Sequence, residues 1–228
     1  MRPPLVELRG LGRRHGGLAA LEPLDLEIDV GQTLGLIGPN GSDKSTTLGL
    51  IAGTLRPSAG RIRIGAHDLT HEPAWRRVAH GVAWTWQQPR VFTRLSVEDN
   101  LAAPGRAAAE AALEFAGLAH RRRALAGSLT FSERRRLEFA RALSTQQRLL
   151  LVDEPASGLD AVEIEALCAR GVTIVLVEHR IGLADRVVVL ENGRVLAQGS
   201  PSRVLADAAV QRAWLGGAAS ATHADAGT

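Results

Sequence analysis

Apolar and polar residues alternate with period two in two stretches near the start of the chain, LVELRGL (5–11) and LDLEIDV (24–30). In the second, Leu24, Leu26, Ile28 and Val30 fall on one face. Alternation of this kind predicts half-buried strands. TLGLIG (33–38) is a short, wholly apolar strand entering a glycine-rich turn. STTLGLIAGTL (45–55) then predicts a helix with Leu48, Ile51 and Leu55 along one side. RIRIG (61–65) is a further short strand.

The character changes near Pro89. From about 90 to 143 the pattern is helical and alanine-rich, as in AAAEAALEFAGL (107–118), and predicts an inserted helical subdomain. Strand character returns at LLLVDE (149–154), followed by a short helix EIEALCARG and the apolar strand VTIVLVEH (172–179). VVVLENGRVLAQG (187–199) predicts a hairpin turning at Asn192-Gly193. Residues 216–228, small and polar, are expected to be a disordered tail. Strand–helix–strand order with near-continuous apolar strands indicates an α/β core with a parallel sheet. The helix between Asp160 and Val172 is close to the ~10–12 residues a parallel crossover needs.

GPNGSDKST follows a strand and opens a helix, the context in which a glycine-rich loop cradles phosphate. Backbone N–H groups of Gly38, Pro39's successors Asn40, Gly41, Ser42 and Asp43, and the helix N-terminus behind them, favour an anion. Lys44 would reach β- and γ-phosphates, Ser45 would bind Mg²⁺ through its hydroxyl, and Thr46 would contact the α-phosphate. Asp43 stands where such a loop expects glycine, at a point of close approach that favours φ > 0. A carboxylate about 5 Å from a phosphate, at an effective dielectric near 20, costs roughly 3 kcal/mol per charge pair.

LLLVDE places Asp153 and Glu154 at the carboxyl end of a buried strand, where α/β proteins carry their chemistry. Asp153 is suited to holding Mg²⁺ through water, and Glu154 to orienting or deprotonating the attacking water.

Taken together, these motifs resemble those of ABC ATPases over nearly the whole chain. DEPASGLD is similar to the family's acidic strand and D-loop, with Ser157, Gly158, Leu159 and Asp160 in register. VEHR resembles its switch, so that the resemblance gives His179 a γ-phosphate contact. TWQQPRVF resembles the Q-loop, with Gln87 (or Gln88, if the register slips by one) as the water and Mg²⁺ contact. His15 occupies the position of the adenine-stacking aromatic; a surface histidine is an equal reading. Trp84 and Trp86 read as packing residues, and Arg121–Arg123 as a solvated face.

RRLEFARAL matches the helix behind the family's LSGGQ signature, whose counterpart here is Leu129, Thr130, Phe131, Ser132 and Glu133. Thr130 keeps a hydroxyl able to cap the helix and contact phosphate. Ser132 replaces a glycine, and Glu133 replaces glutamine and adds a negative charge. RRHGGLAAL, TWQQPRVFTRLSVEDNL and LADAAVQRAWLG resemble the ATPases of branched-chain amino-acid importers; related urea-import and lipopolysaccharide-export ATPases share much of this.

The resemblance implies one ABC ATPase domain over residues 1–228: a P-loop NTPase (RecA-like) core (1–89 and 144–215) with an antiparallel β subdomain, and a helical signature subdomain (90–143). It implies ATP and Mg²⁺ as ligands, a second ATPase subunit, permease subunits, a solute-binding protein acting through the permease, and a place on the cytoplasmic face of the membrane. A second reading, motivated by Asp43, Ser132 and Glu133, is a nucleotide-binding or docking module with weak or no hydrolysis.

Composition narrows the partners. The net charge of +3 and a pI near 10.2 are reconciled by arginine, because Lys44 is the only lysine and tyrosine is absent. The high pI therefore reports arginine use and not a strong positive field, so no nucleic-acid partner is expected. A compact ammonium fits between phosphates where a planar guanidinium does not, which suits the one lysine to the loop. The lone Cys168 excludes an internal disulfide. The opening MRPPLVELRG has no apolar stretch of a signal peptide, and no apolar run approaches the ~18 residues of a membrane span.

Overall fold

The computed structural model describes residues 3–102, 106–144, 147–153, 169, 172–177 and 181–213. The two alternating stretches form β1 (Val6–His15) and β2 (Leu18–Ile28), paired antiparallel. With β4 (Ala59–Ile64) and β5 (His67–Asp68) they make a four-stranded sheet of order β2-β1-β4-β5. Leu24, Leu26 and Ile28 point into the core as the alternation predicts. Val30 does not: β2 ends at Ile28, and Val30 is 62% exposed in the turn that follows.

The second sheet has six strands in the order β10-β9-β3-β8-β7-β6. These are β3 (Thr33–Ile37), β6 (Val82–Thr85), β7 (Leu149–Asp153), β8 (Thr173–Val177), β9 (Arg186–Glu191) and β10 (Arg194–Gly199). All neighbours are parallel except the β9–β10 hairpin. Every residue of β3, β7 and β8 is buried, which explains why their sequences show no alternation. Asn192 and Gly193 both take positive φ, 50° and 71°, as a two-residue hairpin turn demands.

Helix α1 (Lys44–Ala52) lies between the two sheets, and its residues Thr47 to Ala52 are all buried. The expected single apolar side is therefore absent, and Leu55 falls outside the helix. Gly53, with φ 78°, ends α1 and returns its N–H to Gly49 and Leu50 carbonyls. Leu55 packs on the core from the loop beyond. A short α2 (Ala74–Ala79) precedes β6.

Helices α3 (Val97–Leu101), α4 (Arg106–Phe115) and α5 (Phe131–Ser144) form the alanine-rich region with a core of their own, built on Leu101, Leu113, Leu118 and Leu137. Phe139 of α5 turns the other way, onto Leu150, Val152, Ile174 and Leu176 of the parallel sheet. Thus α5 is buried on two sides, and bridges the helical region and the sheet. Helix α6 (Pro201–Leu205) is capped by the Ser200 hydroxyl and packs on β9 and β10, and residues 208–213 are helical as well.

Candidate nucleotide site

Strand β3 delivers the chain into the loop 38–43, and β7 delivers Asp153; β8 lies between them in the sheet. The carboxyl ends of these parallel strands face the same edge, where ligands of open α/β sheets bind. Gly38 has φ 150°, and an added Cβ would meet the Leu190 carbonyl oxygen at 2.1 Å, so only glycine lets the loop lie against β9. Asp43 takes φ 69°, ψ 27°, the left-handed conformation anticipated for that position. Its Oδ1 accepts the Thr46 hydroxyl at 2.9 Å, and its carbonyl accepts the Thr47 N–H at 3.0 Å and hydroxyl at 3.0 Å.

The Lys44 ammonium sits inside the curl of the loop, donating to the carbonyls of Gly38 and Pro39, each at 2.8 Å, and to Ser42 Oγ at 3.3 Å. Asn40 and Gly41 form the outer rim, and Ser42 is buried beneath it. Ser45 Oγ donates to Asp153 Oδ2 at 3.3 Å across 108 residues of sequence. Both line a cleft of about 500 Å³ with Trp84, Trp86, Gln87, Gln88, Pro89 and Arg90. Either glutamine of the two sequence registers therefore reaches the cleft wall.

Trp84 and Trp86 stack on each other with centroids 3.8 Å apart, and the Arg90 guanidinium lies 3.9 Å over Trp86. The packing role expected of them is correct for Trp84, which also lies on the main core, but both rings additionally wall the cleft. His15 ends β1 on the exposed surface, opposite Leu18, and is not part of the cleft lining. Glu154 and His179 lie outside the described residues, as do Ser157 to Asp160.

At the start of α5, Thr130 and Ser132 are exposed. Thr130 Oγ1 accepts the Glu133 N–H at 3.2 Å, while Glu133 Oε2 accepts the Thr130 N–H at 2.8 Å and hydroxyl at 3.0 Å. This is a reciprocal capping box. Those bonds, led by the Thr130 N–H, and the nearby Arg121 and Arg136 charges hold the Glu133 carboxyl below the usual range. The negative charge that Glu133 adds is engaged at the helix end and by Arg121, 3.9 Å away. The Thr-x-x-Glu spacing was the sequence signal for it.

Three buried charged residues were not anticipated. Arg77 of α2 donates to the carbonyls of Leu50, Ile51 (2.8 Å), Glu72 (3.0 Å) and Thr70 (3.3 Å), closing the carboxyl end of α1, and burial lowers its pKa to about 10. Arg135 and Glu138 on α5 form an ion pair at 3.1 Å, with side chains 0% and 2% exposed. Desolvation pushes the Glu138 carboxyl up, opposed by the Arg90 N–H and the Arg135 charge.

Among the described residues no three His, Cys, Asp or Glu side chains gather as a protein-built metal cage. The oxygens of Ser45, Asp153 and a neighbouring glutamine do fit Mg²⁺. That hard cation is commonly held by one or two carboxylates plus substrate phosphates.

The profile described as "ABC transporter" matches residues 21–157, and that of a "Branched-chain amino acid ATP-binding cassette transporter" matches residues 194–220. The chain is 31% identical to the high-affinity branched-chain amino acid transport ATP-binding protein BraF of Pseudomonas aeruginosa, over 95% of this chain and 99% of BraF. It is 30% identical to the lipopolysaccharide export system ATP-binding protein LptB of Escherichia coli K12, over 91% of this chain and 95% of LptB. Its fold superposes on the ADP conformation of MJ1267, an ATP-binding cassette of an ABC transporter, with a TM-score of 0.83 and 26% identity, covering 94% of this chain and 100% of MJ1267.

Proposed function

We infer a specific role from one premise: the chain belongs to the ABC transporter family, as an ATP-binding subunit of the ATPase type. The role is that of the engine of a solute importer, in which two such subunits close on ATP, hydrolyse it, and drive a membrane permease. The solute is a branched-chain amino acid or a similar small polar molecule, fed by a solute-binding protein. BraF and the match over residues 194–220 support that choice; LptB, an export ATPase, is nearly as similar. Among the described residues no helix is long and apolar enough to cross a membrane, so attachment at the cytoplasmic face would come through the permease.

The observation that carries the reading is the meeting of Ser45 and Asp153 at 3.3 Å, between the phosphate loop and the Gln87 wall. The loop N–H groups and the α1 dipole bind the phosphates, and Lys44 exchanges its bonds to the Gly38 and Pro39 carbonyls for β- and γ-phosphate oxygens. Mg²⁺ would supply charge neutralisation between those oxygens, held by Ser45, Gln87 and Asp153. Glu154, one residue beyond Asp153, orients the attacking water and takes its proton, and His179, two residues beyond β8, contacts the γ-phosphate; both roles follow the family pattern. The exposed Thr130 and Ser132 face outward, as they must to meet a nucleotide on a second subunit. His15 is retained as the adenine contact.

Uptake measurements in cells carrying the chain with its permease test the transport role. Leucine uptake should be lost in Lys44→Arg, whose guanidinium does not fit the loop; uptake independent of Lys44 would exclude this engine. A second reading, binding with little hydrolysis, is favoured specifically by Asp43, whose carboxylate remains in the phosphate loop at φ 69°.

A further inference from the structure

The cleft is assembled from two separate pieces of chain, the loop 86–90 and the end of β7, and a single ion pair on α5 is bonded to both. Arg135 donates through Nη1 to the Trp86 carbonyl and to Glu138 Oε2 at 3.1 Å, and through Nη2 to the Asp153 carbonyl at 3.0 Å. Glu138 Oε1 accepts the N–H of Arg90 at 2.9 Å and that of Trp86 at 3.4 Å. The loop is thus fixed at its two ends, with Gln87 and Gln88 between them on the cleft wall.

A buried ion pair is a weak source of stability, because desolvation offsets the attraction and apolar residues of similar volume often serve as well. What apolar residues could not supply is this set of bonds to the loop 86–90 and the end of β7. Arg135 lies one helical turn beyond the exposed Ser132, so the first turn of α5 is joined through it to both pieces of the cleft.

We propose that Arg135, held by Glu138, is a positioning residue that sets the spacing between the Gln87 loop and Asp153, and through it the affinity for the divalent cation that accompanies ATP. This rests on the nucleotide reading of the site given above.

The test pairs a double variant, Arg135→Met with Glu138→Leu, which keeps the volume and removes both charges, with Arg135→Lys, which keeps the charge and loses the forked donor. ATP affinity is measured first in EDTA. Mg²⁺ is then titrated at saturating ATP and followed by the fluorescence of Trp84 and Trp86, which needs no turnover. The double variant should bind ATP in EDTA within twofold of the native chain but need at least fivefold more Mg²⁺ for the half-point, with Arg135→Lys displaced in the same direction. Where turnover is measurable, kcat should fall with little change in KM. A folded double variant with a Mg²⁺ half-point within twofold of native overturns the proposal. If the double variant does not fold, an unshifted Arg135→Lys does so. A native chain that binds no ATP removes the nucleotide reading and this proposal together; a native chain that binds normally beside unshifted variants removes this proposal alone.

Discussion

The Thr46 hydroxyl donates to Asp43 Oδ1 at 2.9 Å, so the one carboxylate in the phosphate loop engages a side chain that would otherwise be available to a nucleotide. The backbone there is left-handed, φ 69°, a conformation aspartate tolerates better than most residues but glycine adopts without cost.

Charge and conformation at this position can be separated. Asp43→Asn keeps the local geometry and removes the charge, and should raise ATP affinity at least about tenfold, given a repulsion on the order of 3 kcal/mol partly offset by Mg²⁺. Asp43→Gly should gain at least as much and also free the Thr46 hydroxyl. Equilibrium binding at fixed Mg²⁺ measures both; affinities unchanged from native would show that the carboxylate does not oppose the nucleotide.

The capping box gives a pH-dependent prediction. Because the folded-state pKa of Glu133 is lowered, its contribution is fully present above the unfolded carboxylate range and is lost as pH falls through that range toward the lowered value. Glu133→Ala should therefore cost about 1 kcal/mol at pH 7, and the gap to native should narrow below about pH 4.5. Glu133→Gln, which still offers an acceptor, should lose less. Thermal unfolding from pH 7 to pH 4 reads all three.

Arg77 ties α2 to the end of the phosphate-loop helix through the Leu50 and Ile51 carbonyls, and also holds the Thr70 and Glu72 carbonyls that lead into α2. Arg77→Met takes the guanidinium from all four acceptors, of which Leu50 keeps the Gly53 N–H at 3.3 Å, at a cost of about 3 kcal/mol. For a chain of this length the unfolding temperature should fall by roughly 6–12 °C. Calorimetry checks it; a fall of under 2 °C would mean that water or a neighbour replaces the guanidinium.

Much of the architecture was legible because it follows from period and punctuation. The alternation of β1 and β2, the wholly apolar β3, β7 and β8, and the Asn192-Gly193 turn each fix a local structure without help from the rest of the chain. Leu55 was misplaced because its periodicity continues past Gly53, whose left-handed cap stops the helix. Val30 continued an alternation that β2 itself does not.

The site was legible where one motif supplies its own context, as from Gly38 to Thr46. It was not legible where bonds join distant segments. Arg77, Arg135 and Glu138 carry no local sign of burial, since nothing in the sequence around them distinguishes a guanidinium facing water from one facing backbone carbonyls. For α5 a signal existed: Leu137 and Phe139 lie on opposing sides, and a helix buried on both leaves its intervening charges little water to face.

The central claim is that the chain hydrolyses ATP with Glu154 acting on the water. The most direct measurement is steady-state ATP turnover of the purified native chain and of Glu154→Gln, at saturating Mg²⁺. Native turnover with a loss of at least about a hundredfold in the variant, while ATP binding persists, is the predicted result. Equal turnover in the two would contradict it.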